Sequence, residues 1–212
     1  MNNSTNWLGF AQRLHALAET GLLYAQDDYD KERYAEIRAI GLEMLANMAN
    51  VPTEAIVKLM YTDQSYQTPK VDIRAVVLNE ENRLLMVKEK ADDNKWSLPG
   101  GWADVGYTPF EVAEKEVWEE TGLEVKAMRL LAVFDKKMHD HPPQPWYVYK
   151  MYILCQVTGG SLIAETLETG EASWLNTENL PQLALSTDRV TLSQIEKVIQ
   201  AASVPDMASL CD

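Results

Sequence analysis

Apolar residues in the first sixty positions recur at steps of three and four residues, the spacing typical of amphipathic helices. The first such stripe consists of Trp7, Phe10, Leu14 and Leu17. A second stripe runs from Tyr34 to Met48, and Pro52 fits the start of a shorter third helix that ends near Tyr61. Residues 1–62 are therefore expected to form a helical N-terminal domain, with Trp7 and Tyr34 inside a core.

The apolar period changes from helical to alternating after a polar linker that contains Pro69. Alternation from Val71 to Val77 predicts a strand, and residues 79–82 predict a hairpin turn into a second strand over 83–88. The other expected strands lie near 128–134, 146–157, 161–163 and 172–175, and the expected helices cover 109–121 and about 188–201. Residues 70–212 are thus expected to form a mixed α/β domain.

The helix predicted over 109–121 has well-defined ends. Thr108 is a good N-cap, Pro109 fits the first helical position, and Glu111 completes a capping box. Gly122 is a typical helix terminator. The residues expected to face the core are Phe110, Ala113 and Val117.

Three acids on this helix, Glu116, Glu119 and Glu120, are spaced to project from one side. Their mutual repulsion costs roughly a few tenths of a kcal/mol per pair on an exposed helix. A hard divalent cation such as Mg²⁺ prefers oxygen ligands and would make the cluster favourable. Just before the helix, Gly100 and Gly101 let the backbone approach an ion or a phosphate. The pattern favours a diphosphate–metal site, although charge spacing alone fits a solvated acidic face equally well.

The segment from Gly100 to Leu123 resembles the Nudix box, which has Gly, five residues, Glu, seven residues, and then Arg-Glu-aliphatic-any-Glu-Glu-any-Gly-aliphatic. The matching residues are Gly101, Glu116, Val117, Glu119, Glu120, Gly122 and Leu123. Tyr107 stands where the box has its first Glu, and Lys115 stands where it has Arg. Lysine keeps the positive charge but loses the planar fork.

The Nudix resemblance implies roles for these residues. Glu116 and Glu120 are expected to bind Mg²⁺ or Mn²⁺, and the carbonyl of Gly100 is expected to be a further ligand. Glu119 is expected to bind metal or orient the attacking water. The Arg and first Glu of the box mainly orient these acids, so their replacement in this chain alters the supporting half of the motif.

Phrases outside the box are similar to the CDP-choline pyrophosphatase branch of the Nudix superfamily. They lie at 18–22, 28–34, 99–107 and 135–137. The similarity implies an α/β/α sandwich preceded by a small helical unit, a homodimer through the N-terminal helices, and hydrolysis of CDP-choline to CMP and phosphocholine. ADP-ribose, other nucleotide sugars and RNA ends are alternative substrates. A nucleotide sensor without activity is a further alternative, against which the three acids argue.

An acid from a later loop is a candidate third catalytic residue beside Glu119 and Glu120. Glu165, Glu168 and Glu171 lie between two predicted strands. Glu168 is the candidate among them. The alternative is that it is simply exposed to solvent, as loop acids usually are.

Four other residues are candidates for contact with the substrate. Trp102 lies in the glycine loop and could border the substrate, and Asp104 could touch metal or substrate or only shape the turn. His139 and His141 lie in a Pro-rich loop and could contact a phosphate, or belong to a loop without function. The candidate substrate-binding residues are therefore Trp102, Asp104 and His139.

Composition and charge limit the kinds of partner and the compartment that are expected for the protein. The net charge of -13 argues against duplex DNA, whose binding depends on Lys and Arg that neutralise phosphates. Cys155 and Cys211 lack metal-site spacing, which favours free thiols in a reducing compartment. No signal peptide and no membrane-spanning apolar run is visible, so a small-molecule nucleotide enzyme in the cytoplasm is expected.

Overall fold

The computed structural model describes residues 6–60, 67–104 and 106–212. The chain divides into two compact units, Met1–Pro69 with Pro143–Tyr147 and Lys70–Pro142 with Val148–Asp212. Most of the predicted linker lies outside the described residues. Over the described ranges, no helix combines the length and the apolar character that crossing a membrane requires.

Three helices form most of the first unit. Their bounds are α1 Trp7–Tyr24, α2 Asp28–Ala49 and α3 Thr53–Met60. Asp27 caps α2 by accepting a hydrogen bond from the N–H of Asp30 at 2.9 Å, and Asn50 ends the helix in the left-handed conformation. A side chain at Gly41 would lie 3.2 Å from the backbone nitrogen of His15, so glycine lets α1 and α2 pack closely. The three predicted helices are present.

The face of α1 that enters the core differs from the predicted one. Ala11, His15 and Ala18 are buried, whereas Trp7 is 57% exposed. The core around them contains Ala11, Leu42, Leu45, Ala46 and Ile56. The prediction that Trp7 lies in a core is wrong for this unit, because close packing against α2 selects the small residues of α1. Tyr34 is half-buried.

The second unit contains two sheets. In the first, the order is β1-β5-β4-β7, with bounds β1 Lys70–Val77, β4 Leu123–Asp135, β5 Val148–Gly160 and β7 Leu210–Cys211. In the second, the order is β3-β2-β6, with bounds β2 Leu84–Glu89, β3 Lys95–Ser97 and β6 Thr169–Leu175. Strand β1 is parallel to β5, β4 is antiparallel to β5 and parallel to β7, and the second sheet is antiparallel.

Helix α4 (Pro109–Thr121) and helix α5 (Leu192–Ser203) pack on separate apolar clusters, and β1 contributes to both. Ile73, Ala75 and Val77 belong to the cluster of α4, whereas Val76 belongs to the cluster of α5. Since successive side chains of a strand point to opposite faces, the two helices cover opposite faces of the strand. The unit is therefore the α/β/α sandwich that the resemblance implies, and this fold class is confirmed.

The predicted hairpin is only partly formed. The turn is present, because the N–H of Asn82 donates to the carbonyl of Asn79 at 2.9 Å. Beyond a single bridge between Leu78 and Leu84, however, β1 and β2 pair in different sheets. Local turn chemistry could be read from the sequence, whereas the distant partners of the two strands could not.

Two further expectations are wrong at their boundaries. Residues 161–163 are not a strand, because β5 itself runs to Gly160, where φ is 78°. Helix α5 begins at Leu192 rather than near 188, since Thr191 caps it and forms a capping box with Gln194. Strands β3 and β7, of three and two residues, are too short to show alternation.

Candidate active site

The glycine loop runs beside β1 as an irregular strand. The N–H of Ile73 donates to the carbonyl of Gly101 at 2.8 Å, and the N–H of Ala75 donates to the carbonyl of Pro99 at 2.8 Å. Between them Gly100 has a φ of 146°, and a side chain there would collide with the carbonyl oxygen of Ile73. No described residue donates a backbone hydrogen bond to the carbonyl of Gly100, which leaves this oxygen free to act as a ligand.

Helix α4 follows this loop and has the predicted ends. Thr108 and Glu111 form both hydrogen bonds of the capping box, at 3.3 and 2.7 Å, and Gly122 follows the helix with a φ of 76°. The buried apolar residues of the helix are Val112, Ala113 and Val117. Phe110 is 38% exposed, so its predicted place in the core is wrong. The core face contains Val112 instead, and the same face continues into Glu116 and Glu120.

Glu120 and Glu116 are held against the glycine loop. Oε2 of Glu120 accepts a hydrogen bond from the N–H of Gly100 at 2.9 Å, and a Cβ on Gly101 would lie 3.0 Å from Oε1 of Glu116. Burial raises the pKa of Glu120 to about 8 and also raises the pKa of Glu116, because it removes both carboxylates from water. A divalent cation would relieve this cost, and carboxylate and carbonyl oxygens are donors that Mg²⁺ and Mn²⁺ prefer.

Lys115 places a positive charge among the acids. Its Nζ lies 3.0 Å from Oε2 of Glu119, 3.6 Å from Oε1 of Glu116 and 3.5 Å from Oδ2 of Asp104. The hydrogen bond to Glu119, together with the nearby carboxylates, holds the pKa of Lys115 above its usual value. In the described parts of the chain, no three His, Cys, Asp or Glu side chains already converge as metal ligands. The carboxylate of Glu119 is thus paired with the ammonium of Lys115.

The acids open into a cleft of about 260 Å³. Its lining consists of Glu116, Glu119, Glu120, Thr166, Leu167 and Glu168. The loop on the far side is fixed, because the hydroxyl of Thr169 donates to the carbonyl of Glu120 at 3.0 Å. The N–H of Lys90 also donates to the carbonyl of Glu168 at 3.1 Å. Sequence-distant residues 166–168 thus face the acidic helix.

The three candidate acids differ in their surroundings: Glu165 and Glu168 precede β6, whereas Glu171 lies within β6, so its predicted place between two strands is wrong. Glu165 lies 3.6 Å from Nζ of Lys90, and Glu171 lies 2.8 Å from Nζ of Lys88. Glu168 is exposed and lines the cleft instead. It is the loop acid that can reach a molecule bound beside the acidic helix.

A buried charge network supports the glycine loop from β1 and β5. Arg74 donates from Nε and Nη2 to the two oxygens of Asp72, each at 2.8 Å, and Lys150 donates to Oδ1 at 2.8 Å. Nη1 of Arg74 donates to the carbonyl of Leu98 at 3.1 Å. Burial alone would raise the pKa of Asp72, but the charges of Arg74 and Lys150 hold it below its usual range. The alternating pattern of β1 gave no sign that its polar positions are buried.

Glu89 is a site residue that the sequence did not reveal. It ends β2, is 5% exposed, and lies with its Oε1 3.0 Å from Nε of Arg189. Burial raises the pKa of Glu89, and Glu168 lies close enough to raise it further. The sequence Lys88-Glu89-Lys90 looks like an exposed charged strand end, so a buried acid could not be inferred from it.

The remaining candidates lie outside the cleft lining. Trp102 is 48% exposed, with Nζ of Lys70 5.6 Å from its ring centre. His139 packs on Phe134, with ring centres 4.7 Å apart, and its Nε2 lies 3.2 Å from Oδ2 of Asp212. These contacts give His139 a structural setting within this unit.

His141 is also held by structural contacts. Its Nδ1 lies 2.6 Å from the carbonyl oxygen of Thr187, and its Nε2 lies 2.9 Å from Oε1 of Gln194. Burial lowers the pKa of His141 to about 4. With both ring nitrogens against neighbouring residues of the same unit, His141 belongs to the scaffold of the loop.

Two family models match the chain. Residues 5–60 match the model described as UDP-X-like, N-terminal oligomerisation domain, and residues 68–194 match the NUDIX domain. A protein of Bacillus subtilis (strain 168) named "Putative ADP-ribose pyrophosphatase" is 41% identical over 209 residues, which cover 98% of each chain. The match to the Bacillus subtilis protein spans both the helical N-terminal residues and the Nudix domain, whereas each family model matches one of these two parts.

Solved structures give the same result. A crystal structure of a UDP-X diphosphatase superposes with a TM-score of 0.62 at 31% identity and covers 98% of both chains. An ADP-ribose pyrophosphatase from Streptococcus suis 89-1591 gives a TM-score of 0.60 at 34% identity, covering 68% of this chain and all of that one. The similarity to the first extends through the helical N-terminal residues, whereas the second covers a smaller share of the chain.

Proposed function

Because the chain belongs to the Nudix family of pyrophosphohydrolases, we propose that its acidic cleft hydrolyses the pyrophosphate bond of a nucleoside diphosphate linked to a second group, X. The observation that carries this proposal is the placement of Glu116 and Glu120 against the glycine loop, at a cleft that Glu168 also lines. Two desolvated carboxylates beside a free backbone carbonyl are costly for a binding module that has no cation, and useful for metal-dependent hydrolysis.

We infer the following roles. Glu116, Glu120 and the carbonyl of Gly100 would hold a divalent cation, Mg²⁺ or Mn²⁺, with Glu119 as a further ligand or as a group that orients water. When bound, such a cation neutralises phosphate oxygens and lowers the pKa of a bound water. Glu168 is positioned to accept a proton from the attacking water, and Lys115 restrains Glu119 through their 3.0 Å ion pair.

The group X is a separate question from the chemistry. The names of the relatives suggest ADP-ribose and UDP-X compounds, whereas the phrases at 18–22, 28–34 and 135–137 favour CDP-choline. We propose CDP-choline as a specific candidate within the nucleoside diphosphate-X class. RNA ends and nucleotide sensing are the competing functions.

A substrate panel tests the proposal. The purified chain is incubated with Mg²⁺ or Mn²⁺ and ADP-ribose, a UDP-sugar, CDP-choline or a short 5′-triphosphorylated RNA, and the products are identified. Hydrolysis of one of the first three to a nucleoside monophosphate and a phosphorylated X supports the proposal, and EDTA should abolish it. Tight nucleotide binding without turnover of any compound would favour the sensor.

Replacing Glu168 with Gln is expected to lower kcat roughly 10–100-fold, since the amide cannot accept the proton of the attacking water. The thermal unfolding midpoint should change little, because this side chain is exposed. Steady-state kinetics with saturating metal measure the effect. Glu165→Gln and Glu171→Gln are matched controls, since both acids pair with lysines in the same region. Equal losses in all three variants would remove the special role of Glu168.

We further propose a homodimer through the helices of residues 1–62, with the Nudix domain formed by residues 70–212. The apolar stripe of α1 that was expected in a core is exposed: Phe10 is 46% exposed and Leu17 is 62% exposed. A second copy covering this stripe would restore the burial that its helical spacing predicts. The match of residues 5–60 to an N-terminal oligomerisation domain supports this assignment.

The variant Leu17→Glu is expected to shift the protein from dimer to monomer, because it places a charge in the apolar stripe. Size-exclusion chromatography with light scattering measures the mass. Met128→Glu, which changes an exposed apolar residue on β4, serves as the control and should leave the mass unchanged. A wild-type chain that is monomeric at all concentrations would contradict the dimer.

A further inference from the structure

Arg189 lies shortly before α5, and its guanidinium contacts Glu89 at the end of β2 and Ser186 three residues earlier in the chain. Its Nε is 3.0 Å from Oε1 of Glu89, and its Nη1 donates to the hydroxyl of Ser186 at 3.2 Å. That hydroxyl in turn donates to Asp92 at 2.7 Å, so the turn that carries Arg189 is fixed. The side chain of Arg189 is 27% exposed.

Glu89 connects Arg189 to the cleft. Glu89 pairs with Thr169 across the second sheet, at a β-bulge. Thr169 directly follows the cleft-lining Glu168 in sequence. Its charge also contributes to the raised pKa of Glu120, so the two carboxylates are neighbours. Bulges often redirect side chains next to active sites. Arg189 is therefore linked to Glu120 through a single residue, Glu89.

Glu89 and Arg189 do not use all of their hydrogen-bond donors and acceptors on each other and on their neighbours. Oε1 of Glu89 is buried and accepts no hydrogen bond from the described residues, although the guanidinium lies 3.0 Å away. A guanidinium has five donors; Nε of Arg189 faces Glu89 and Nη1 donates to Ser186. The described residues make no hydrogen bond with Nη2 of Arg189. Planar donors of this kind match phosphate oxygens in a bidentate arrangement.

Charge balance at the cleft also calls for such a group. A diphosphate approaching Glu116, Glu119, Glu120 and Glu168 meets acids on both sides, and one divalent cation offsets only part of the repulsion. Arg74 is buried and engaged by both oxygens of Asp72, and Lys115 is engaged by three carboxylates. Arg189 differs from both in that no described residue makes a hydrogen bond with its Nη2.

We propose that Arg189 binds a phosphate oxygen of the diphosphate substrate, and that Glu89 is a positioning residue that holds the guanidinium at the cleft. This inference rests on the proposed hydrolysis of a nucleoside diphosphate-X compound. Glu89 acts through Arg189 and does not touch the substrate.

Isothermal titration of the full chain with inorganic pyrophosphate in the presence of Ca²⁺ tests the proposal without turnover. Arg189→Gln should weaken pyrophosphate binding roughly tenfold to a hundredfold, the value of a charged hydrogen bond. Arg189→Lys should weaken it less, because it keeps the charge and loses the fork. Glu89→Gln should also weaken binding, and the double variant Arg189→Gln with Glu89→Gln should bind no more weakly than Arg189→Gln alone.

Arg83→Gln is the matched control, since Arg83 pairs with Glu81 on an exposed turn and should leave pyrophosphate affinity unchanged. Wild-type affinity in Arg189→Gln, or fully additive losses in the double variant, would overturn the proposal. Kinetics separate it from the proposed function. If the wild type hydrolyses the panel but Arg189→Gln keeps its KM, the Arg189 assignment alone fails. If the wild type hydrolyses nothing and binds no pyrophosphate, both fail.

Discussion

Glu120→Gln is expected to lower kcat/KM about a thousandfold or more while making the metal-free protein more stable. The amide keeps the acceptor for the N–H of Gly100 at the same length, so the loop stays in place. It removes an acid that is 6% exposed and whose ionised form is disfavoured by burial, which raises its pKa to about 8. Because the unfolded chain ionises this acid freely and the folded chain does not, the neutral amide should raise the free energy of unfolding at neutral pH by about 1–3 kcal/mol. Opposite changes in activity and stability identify a carboxylate kept for metal.

Glu114→Gln is the control on the same helix. Glu114 accepts a hydrogen bond from the N–H of Ala127 at 2.8 Å, the same type of contact that Glu120 makes with Gly100. The cleft-lining residues do not include Glu114, so this variant should keep kcat/KM. Enzyme assays over a range of Mg²⁺ concentrations, with thermal unfolding in EDTA and in Mg²⁺, measure both effects. Full activity in Glu120→Gln would show that the metal lies elsewhere.

The acidic helix shows how far sequence reasoning reaches. Its cap at Thr108, its end at Gly122 and the burial of Ala113 and Val117 follow from local rules and are confirmed. The contact of Glu120 with the N–H of Gly100 is not local, because it depends on β1 holding the glycine loop beside the helix. The sequence thus predicted the helix that carries the three acids, but not which of them contact the glycine loop.

The parts that sequence could not predict share a physical cause. Glu89, Arg189 and the loop of Glu168 come together through pairing of β2 with β6, and neither strand shows its partner in its own pattern. The prediction for Trp7 is wrong for a related reason. An apolar stripe indicates that another surface covers the helix, but it does not identify that surface. Periodicity reports burial, whereas partners are decided by the topology of the whole unit.

The buried charge network of Asp72, Arg74 and Lys150 is another feature that the sequence could not predict. We expect it to have a large effect on stability. Asp72 is 6% exposed and balances two cations, Arg74 and Lys150, which are 4% and 1% exposed. A buried charge whose partner is removed costs much more than the pair contributes. The single carboxylate therefore has a greater effect on stability than any ion pair at the surface of the molecule.

Asp72→Asn is expected to lower the free energy of unfolding by about 3–5 kcal/mol, because Arg74 and Lys150 would lose the carboxylate that binds both, and the remaining buried acid near them, Glu89, is 3.9 Å from Arg74. Urea unfolding followed by circular dichroism measures the loss. Asp28→Asn, at an exposed pair with Lys31, should cost less than about 1 kcal/mol. Adding Lys150→Met to Asp72→Asn should recover part of the stability, since it removes one of the stranded cations. A loss below about 1 kcal/mol, or no recovery in the double variant, would show that water or a rearranged carboxylate replaces Asp72.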